Sequence, residues 1–248
     1  MKLWHGVALG LAAYAFFFVI NAPAAKVLPA LEPVLPPVQL QGIDGSVWSG
    51  SAMRASTQPV QLDAVRWELR PLALLTGRFE FALQGQLQDR PLQARAGKAW
   101  FGRAYLADVQ GSVPAQDVLG WVQVRQVGVQ GFLDFNLDEV RWTDARIPAI
   151  EGVMSWSPAS IVTPVDLDFG TARLETQIGD NGATLGKLTT SGSALLVNAD
   201  VQVDPGGSYR LDAAIRQEGE ISDAVANFLS TFAEYRDGVR YFEWSSTL

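Results

Sequence analysis

Leu195-Leu196-Val197-Asn198-Ala199-Asp200-Val201-Gln202-Val203-Asp204-Pro205-Gly206-Gly207-Ser208-Tyr209-Arg210-Leu211-Asp212-Ala213-Ala214-Ile215-Arg216 is the stretch from which the fold is read. Leu195, Val197, Ala199, Val201 and Val203 alternate with Asn198, Asp200, Gln202 and Asp204. After Asp204-Pro205-Gly206-Gly207, Tyr209, Leu211, Ala213 and Ile215 return against Arg210, Asp212 and Arg216. Period two on both arms of a Gly/Pro turn predicts an antiparallel hairpin with one wet and one covered face. The same alternation runs through Phe79, Phe81, Leu83 and Leu87, turns at Asp89-Arg90-Pro91, and returns through Leu92, Ala94 and Ala96. It recurs in Leu133, Phe135 and Leu137, and in Val165, Leu167 and Phe169. Short helical turns are expected at Pro114–Leu119 and Pro158–Ile161. One longer helix is expected after Ser222, with Val225, Phe228, Leu229 and Phe232 as its apolar stripe and Asp223, Glu218 and Glu220 at its positive end. The fold class is therefore mainly β: a membrane-anchored curved antiparallel sheet, or a sandwich, of repeated hairpins, with one N-terminal transmembrane helix and one short C-terminal helix. Val65-Arg66-Trp67 recurs as Val140-Arg141-Trp142, an echo too short to define a repeat.

The start of the chain is a different material. From Leu3 to Ile20, 15 of 18 residues are apolar, and no acid or base interrupts them. At about 1.5 Å per residue this run and its flank reach roughly 30 Å, a bilayer core. Leu3, Trp4, Leu9, Phe16, Phe17, Phe18 and Ile20 are the expected anchor residues, with Trp4 suited to an interface. A secretory signal peptide cut after Ala24 competes, because Ala22-Pro23-Ala24 resembles a cleavage site. The run is longer than a signal core and only Lys2 precedes it, which favours a retained span. Lys2 and the α-amino group place the amine end in the cytoplasm and everything after Lys26 outside it. Residues 1–25 are thus read as cytoplasmic N-terminus and anchor, 26–38 as linker, and 39–248 as a periplasmic β-rich domain. Five of the 13 prolines fall between Pro23 and Pro37, so the linker is expected as a helical turn near Ala24–Leu31 and then an extended segment.

Composition removes much chemistry. There is no cysteine, hence no disulfide or thiolate, and His5 is the single histidine. With Lys2 set aside, 18 bases face 26 acids from Lys26 onward, a balance of −8 that does not suit nucleic acid. Asp134-x-Asn136-x-Asp138 begins like a calcium loop, but Glu139 stands where glycine is required and Ala145 where the bidentate glutamate belongs. These three read as polar residues on the wet face of a strand. Asp166 and Asp168 would point the same way roughly 7 Å apart, a spacing seen in paired-carboxylate hydrolases, yet nothing near them marks a raised-pKa partner. No catalytic residue, cofactor site or metal site is expected.

Leu40-Gln41-Gly42-Ile43-Asp44-Gly45-Ser46-Val47-Trp48-Ser49-Gly50-Ser51-Ala52 resembles the Gly-x-x-Gly-x-Leu-Trp-Ser-Gly segment of the type II secretion system protein N family. Trp67-Glu68-Leu69-Arg70-Pro71, then Leu74-Leu75-Thr76-Gly77-Arg78, and the last helix followed by Asp237-Gly238-Val239-Arg240-Tyr241 follow the family's order. The sequence departs from the usual pattern at Val47, where leucine is common, and at Pro158. The resemblance implies a single-pass inner-membrane component of protein secretion without enzymatic activity. Its implied partners are other secretion components, the inner-membrane platform or the outer-membrane secretin, together with the bilayer through one helix and no nucleic acid. Gly42, Gly45, Trp48, Ser49 and Gly50 have a structural reading of their own. The glycines allow positive φ or a bulge, Val47 and Trp48 project from opposite faces of a strand, and Trp48 plugs the core. A scaffold acting through edge strands is the leading expectation. Leu72-x-x-Leu75-x-Gly77 also resembles AsmA-like domains, which implies a lipid-handling groove as the alternative. A groove leaves the apolar face open along its length, whereas a scaffold closes it as a core.

Overall fold

The computed structural model describes residues 4, 5, 7, 10, 11, 14, 17, 21–31, 38–100, 102–121, 124, 126–142 and 147–247. Fifteen strands form one antiparallel sheet: β1 (Gln39–Gln41), β2 (Asp44–Gly45), β3 (Ser49–Thr57), β4 (Val60–Leu69), β5 (Arg78–Leu87), β6 (Arg90–Ala99), β7 (Ala104–Pro114), β8 (Gly128–Arg141), β9 (Ala149–Thr163), β10 (Leu167–Ile178), β11 (Thr184–Ser191), β12 (Leu195–Val203), β13 (Ser208–Gln217), β14 (Glu234–Arg236) and β15 (Val239–Thr247). Described helices are α1 (Ala24–Leu31), α2 (Pro71–Leu74), α3 (Ala115–Trp121) and α4 (Asp223–Phe232). From β3 to β13 each strand pairs with its sequence neighbours, so the sheet is a meander. Its order begins β1-β3 and ends β13-β15-β14, with β2 beside β3.

The alternation sets the register. Phe135 faces Met154, Met154 faces Leu174, and Leu174 faces Leu188. Leu188 faces Ala199, Ala199 faces Ala213, and Ala213 faces Phe242. Directly opposed residues share a face, so one apolar row crosses seven strands. Large side chains of this sheet lie over glycines of the next strand: a Cβ on Gly111 would stand 2.6 Å from the Phe135 ring and one on Gly186 3.0 Å from Leu174 Cδ1. Register shifts at Asp63/Arg66, Gln93/Arg95, Gln130/Phe132 and Leu137/Glu139 bend the sheet. The bending brings Thr184 of β11 to accept from the Ile150 amide of β9, past the end of β10, at 3.0 Å.

The sandwich alternative is corrected, because every described strand belongs to this one sheet. The core is local instead. Ser222 caps α4 by accepting from the Val225 amide at 3.3 Å, and Val225 and Leu229, one helical turn apart, are buried with Leu167 and Leu195. The side chain of Phe232, expected in that stripe, lies outside the described residues. Three further short helices accompany the expected C-terminal one. Of these, α1 coincides with the helical turn foreseen in the linker and α3 with that at Pro114–Leu119. Pro158–Ile161 is not a helical turn but part of β9. Register shifts on both sides of Pro158–Ala159 make a bulge there, which accommodates a residue without an amide proton, and Gly131 packs directly on the Pro158 carbonyl.

Candidate functional site

The Gly42–Gly50 segment is a clasp. Gly42 and Gly45 have φ of 64° and 85°, the left-handed region, and a Cβ on Gly45 would stand 2.7 Å from the Ser49 carbonyl. Between β2 and β3 the chain folds tightly. The Ser46 amide donates to the Ser49 carbonyl at 2.9 Å, and the Ser49 amide returns to Ser46 Oγ at 3.1 Å. Val47 and Trp48 therefore sit in this turn, not on opposite faces of a strand, because β2 ends at the left-handed Gly45 and the Ser46–Ser49 hydrogen bonds close the loop as β3 begins. Gly50 leaves room for the Trp67 ring, whose Nε1 donates to the carbonyls of Ser46 at 3.2 Å and Val47 at 3.1 Å. The other side of the clasp holds the chain before α1. The Val47 amide donates to the Ala22 carbonyl at 3.1 Å, and Pro23 bridges to Ser46. Ala24 is wholly buried there.

Trp48 is half-buried, and the Leu69 amide donates to its carbonyl at 2.6 Å. With Ser46, Leu69, Leu74, Phe79 and Trp100 it lines an open cleft of about 620 Å³ at the end of the sheet where α1 attaches. Phe79 and Trp100 stack with centroids 6.4 Å apart, and the Trp100 amide donates to the Gly77 carbonyl at 3.0 Å. The sequence singled out Trp48 as a core plug, and gave no site role to Leu74 or Trp100. The cue was the pair of apolar turns, Pro71–Leu75 and Trp100, where an antiparallel meander ordinarily has polar residues.

Behind the cleft lies a buried charge that alternation alone assigns to the wet face. Glu80 is only 5% exposed. It accepts from Arg70 at 2.6 Å, from Tyr105 at 2.8 Å and from Arg95 at 3.4 Å, and Arg95 also pairs with Asp108. Burial by itself pushes the Glu80 carboxyl up. The Tyr105 and Arg70 hydrogen bonds and the two guanidinium charges outweigh burial and hold it below its ordinary value. Tyr105 is raised in turn, by burial and by the neighbouring carboxylate, against a smaller opposing effect of Arg78. Four elements are tied by this one carboxylate, a structural arrangement rather than a reactive one.

The two edges of the sheet differ. On one, β1 covers Arg54–Ser56 and β2 covers Gly50–Ser51 of β3. On the other, β14 pairs only with Val239–Tyr241 of β15. Among the described residues no strand lies along the outer side of Phe242–Thr247. Beside this bare edge a polar hollow of about 580 Å³ is lined by Glu234, Arg236, Asp237, Tyr241 and Glu243.

The acidic residues flagged in the sequence are dispersed. Asp134, Asn136 and Asp138 are exposed along β8. Asp166 lies in the connection just before β10, while Asp168 Oδ1 accepts from the Gly170 amide at 2.8 Å. Among the described residues no group of three metal-ligating side chains gathers. Of the anchor residues, Trp4 and Phe17 are helical and exposed. Leu3, Leu9, Phe16, Phe18 and Ile20 lie outside the described residues, and no helix of the described residues is long and apolar enough to cross a membrane.

The family model described as Type II secretion system (T2SS), protein N matches residues 36–245. Type II secretion system protein N of Aeromonas hydrophila is 29% identical over 225 residues, covering 88% of this chain and 87% of the relative. The protein of the same name from Vibrio cholerae is 25% identical over 220 residues, covering 86% and 85%. That of Pectobacterium carotovorum is 26% identical over 240 residues, covering 93% and 92%. No solved structure matches the chain.

Proposed function

From the premise that this chain belongs to the type II secretion system protein N family, and so is a type II secretion component, we propose that it acts as an accessory scaffold of that machine. In this reading residues 1–25 anchor it in the inner membrane with the amine end in the cytoplasm, residues 26–38 are the tether, and residues 39–248 work in the periplasm by protein–protein contact. Its partners are the inner-membrane platform or the outer-membrane secretin. The observation that carries the reading is the bare β15 edge from Phe242 to Thr247. An unpaired edge offers backbone donors and acceptors to an extended segment of another chain, and the adjacent Glu234, Arg236, Asp237 and Glu243 supply charges that select it. The test is complementation of a strain lacking the chain. Glu243→Lys with Ser245→Lys reverses one charge on the edge and adds a second lysine, a device that blocks strand addition. The variant should keep its unfolding midpoint and lose secretion; normal secretion with both lysines present would sink the edge reading.

A second reading, a lipid-handling groove, is favoured by a specific observation. The apolar row from Phe135 to Phe242 has α4 over its Leu167–Leu195 end, and no second sheet packs on it among the described residues. Val201, opposite Gly186 and Leu211, is half-buried on the same face. Val201→Glu separates the two. In a closed core the unpaired carboxylate unfolds the domain, whereas a wet groove tolerates it and loses only transport. Lipid co-extracted with the wild-type chain, read by mass spectrometry, is the parallel measurement.

A further inference from the structure

Antiparallel turns that face water are built from Gly, Pro, Asp and Asn. At one end of this sheet, the connections of its later half obey that rule: Gly179-Asp180-Asn181-Gly182-Ala183 joins β10 to β11, and Asp204-Pro205-Gly206-Gly207 joins β12 to β13. The connections of the earlier half at the same end do not. Pro71-Leu72-Ala73-Leu74-Leu75 joins β4 to β5, and Trp100 begins the connection of β6 to β7. Leu75 is 84% exposed, Leu72 76% and Trp100 61%, and the two turns are joined through the Trp100–Gly77 hydrogen bond. Among the described residues nothing covers them.

Two observations identify what does. The first is continuity with the apolar N-terminal run. The clasp fixes Ala22 and Pro23 to Val47 and Ser46, and the next residue, Trp48, lines the cleft shared with Leu74 and Trp100. The second is charge. Residues 69–79 and 97–107 contain Arg70, Arg78, Lys98 and Arg103 and no acid, in a chain of net charge −7. Arg78, Lys98 and Arg103 are exposed. Leucine and tryptophan at the tip with cations set around them match the boundary between acyl chains and headgroups.

We propose that the Pro71–Leu75 and Trp100 turns are a lipid-docking face, by which the first half of the sheet end rests on the outer leaflet of the same bilayer that holds the apolar N-terminus. The proposal rests on the anchored reading given above, and goes beyond it by fixing which end and which half of the sheet touch lipid. Docking at this face stands the first strands away from the membrane, while the β12–β13 connection, six strand spacings of about 4.8 Å from β6, is set apart from it along the sheet.

Because the chain has no cysteine, one introduced thiol reports one site. The full chain is reconstituted in nanodiscs of phosphatidylcholine and phosphatidylglycerol. Leu75→Cys, Trp100→Cys, Gly206→Cys and Leu11→Cys are each labelled with an environment-sensitive fluorophore, and quenched by a lipid carrying a nitroxide near its headgroup. Labels at Leu75 and Trp100 should be quenched at least about threefold more than the label at Gly206, which sits at the same end of the sheet. Quenching at both no greater than at Gly206 overturns the docking face. Leu11, midway along the Leu3–Ile20 run, judges the anchor independently, with a second lipid that carries its nitroxide near the acyl-chain terminus: a Leu11 label quenched by that lipid supports the span. An unquenched one with quenched Leu75 and Trp100 rejects the span while upholding the face.

Discussion

Glu80→Ala is the perturbation that most sharply tests why the first half of this sheet holds its shape. The carboxylate is 5% exposed and takes hydrogen bonds from Arg70, Arg95 and Tyr105, which come from the turn after β4, from β6 and from β7. Breaking a buried ion pair costs about 3–5 kcal/mol when the remaining charge stays buried. Here the Arg70 and Arg95 side chains are 47% and 33% exposed, so water partly re-solvates both guanidiniums. Arg95 Nε is the exception, buried with no partner among the described residues even in the wild type, and Arg95 keeps Asp108. The loss is therefore worked down to about 2–4 kcal/mol. With a urea dependence near 3 kcal/mol per molar for a chain of this size, the unfolding midpoint falls by roughly 1 M. Tryptophan fluorescence of the full chain in detergent against urea measures it, with Trp67 and Trp100 on the elements that Glu80 ties together. Glu80→Gln keeps an acceptor for Tyr105 and should lose less than Glu80→Ala. A midpoint shift under about 0.2 M for Glu80→Ala would refute the account of Glu80 as the tie.

The same pair predicts the pH profile. Glu80 is held below its ordinary 4.5, so its stabilisation is complete above that value and disappears as pH falls through the lowered one. Tyr105 is held above its ordinary 10.0, so its contribution is complete below that value and disappears as pH rises through the raised one. The urea midpoint plotted against pH should be flat between these limits, and Glu80→Gln should flatten the acid arm. Trp48→Ala tests the clasp: Trp48 is half-buried in an open cleft, so about 1.5–3 kcal/mol should be lost, less than the ~3–5 kcal/mol of a fully buried tryptophan. A loss of the larger size would show the cleft closing over Trp48 in solution.

What this sequence determines by itself is the strand and its face. In Leu195 to Val203 and Tyr209 to Ile215 the alternation is such that a shift of one residue would expose Leu195, Val197, Ala199, Val201 and Val203 together, and the hairpin forms at that register. The cap at Ser222 and the Val225/Leu229 stripe are equally local, one hydrogen bond and one helical turn. The family segment from Leu40 to Ala52 was legible as glycines of special conformation beside a tryptophan. Pro158 misled because a proline reads as a break, while a bulge in β9 absorbs it in partnership with Gly131 on a different strand. Glu80 misled because Phe79-Glu80-Phe81 alternates like any half-wet strand. Its burial comes from Arg70, Arg95 and Tyr105, up to 25 residues away in sequence. Only the tertiary structure decided that the hairpins stay in one open sheet, that β15 keeps a bare edge, and that the Leu75 and Trp100 turns meet beside Ala22. Alternation specifies which face of a strand is apolar and is silent on what covers that face. Coverage is set by bulges, bends and contacts between segments distant along the chain, each built from pairings that no local pattern encodes.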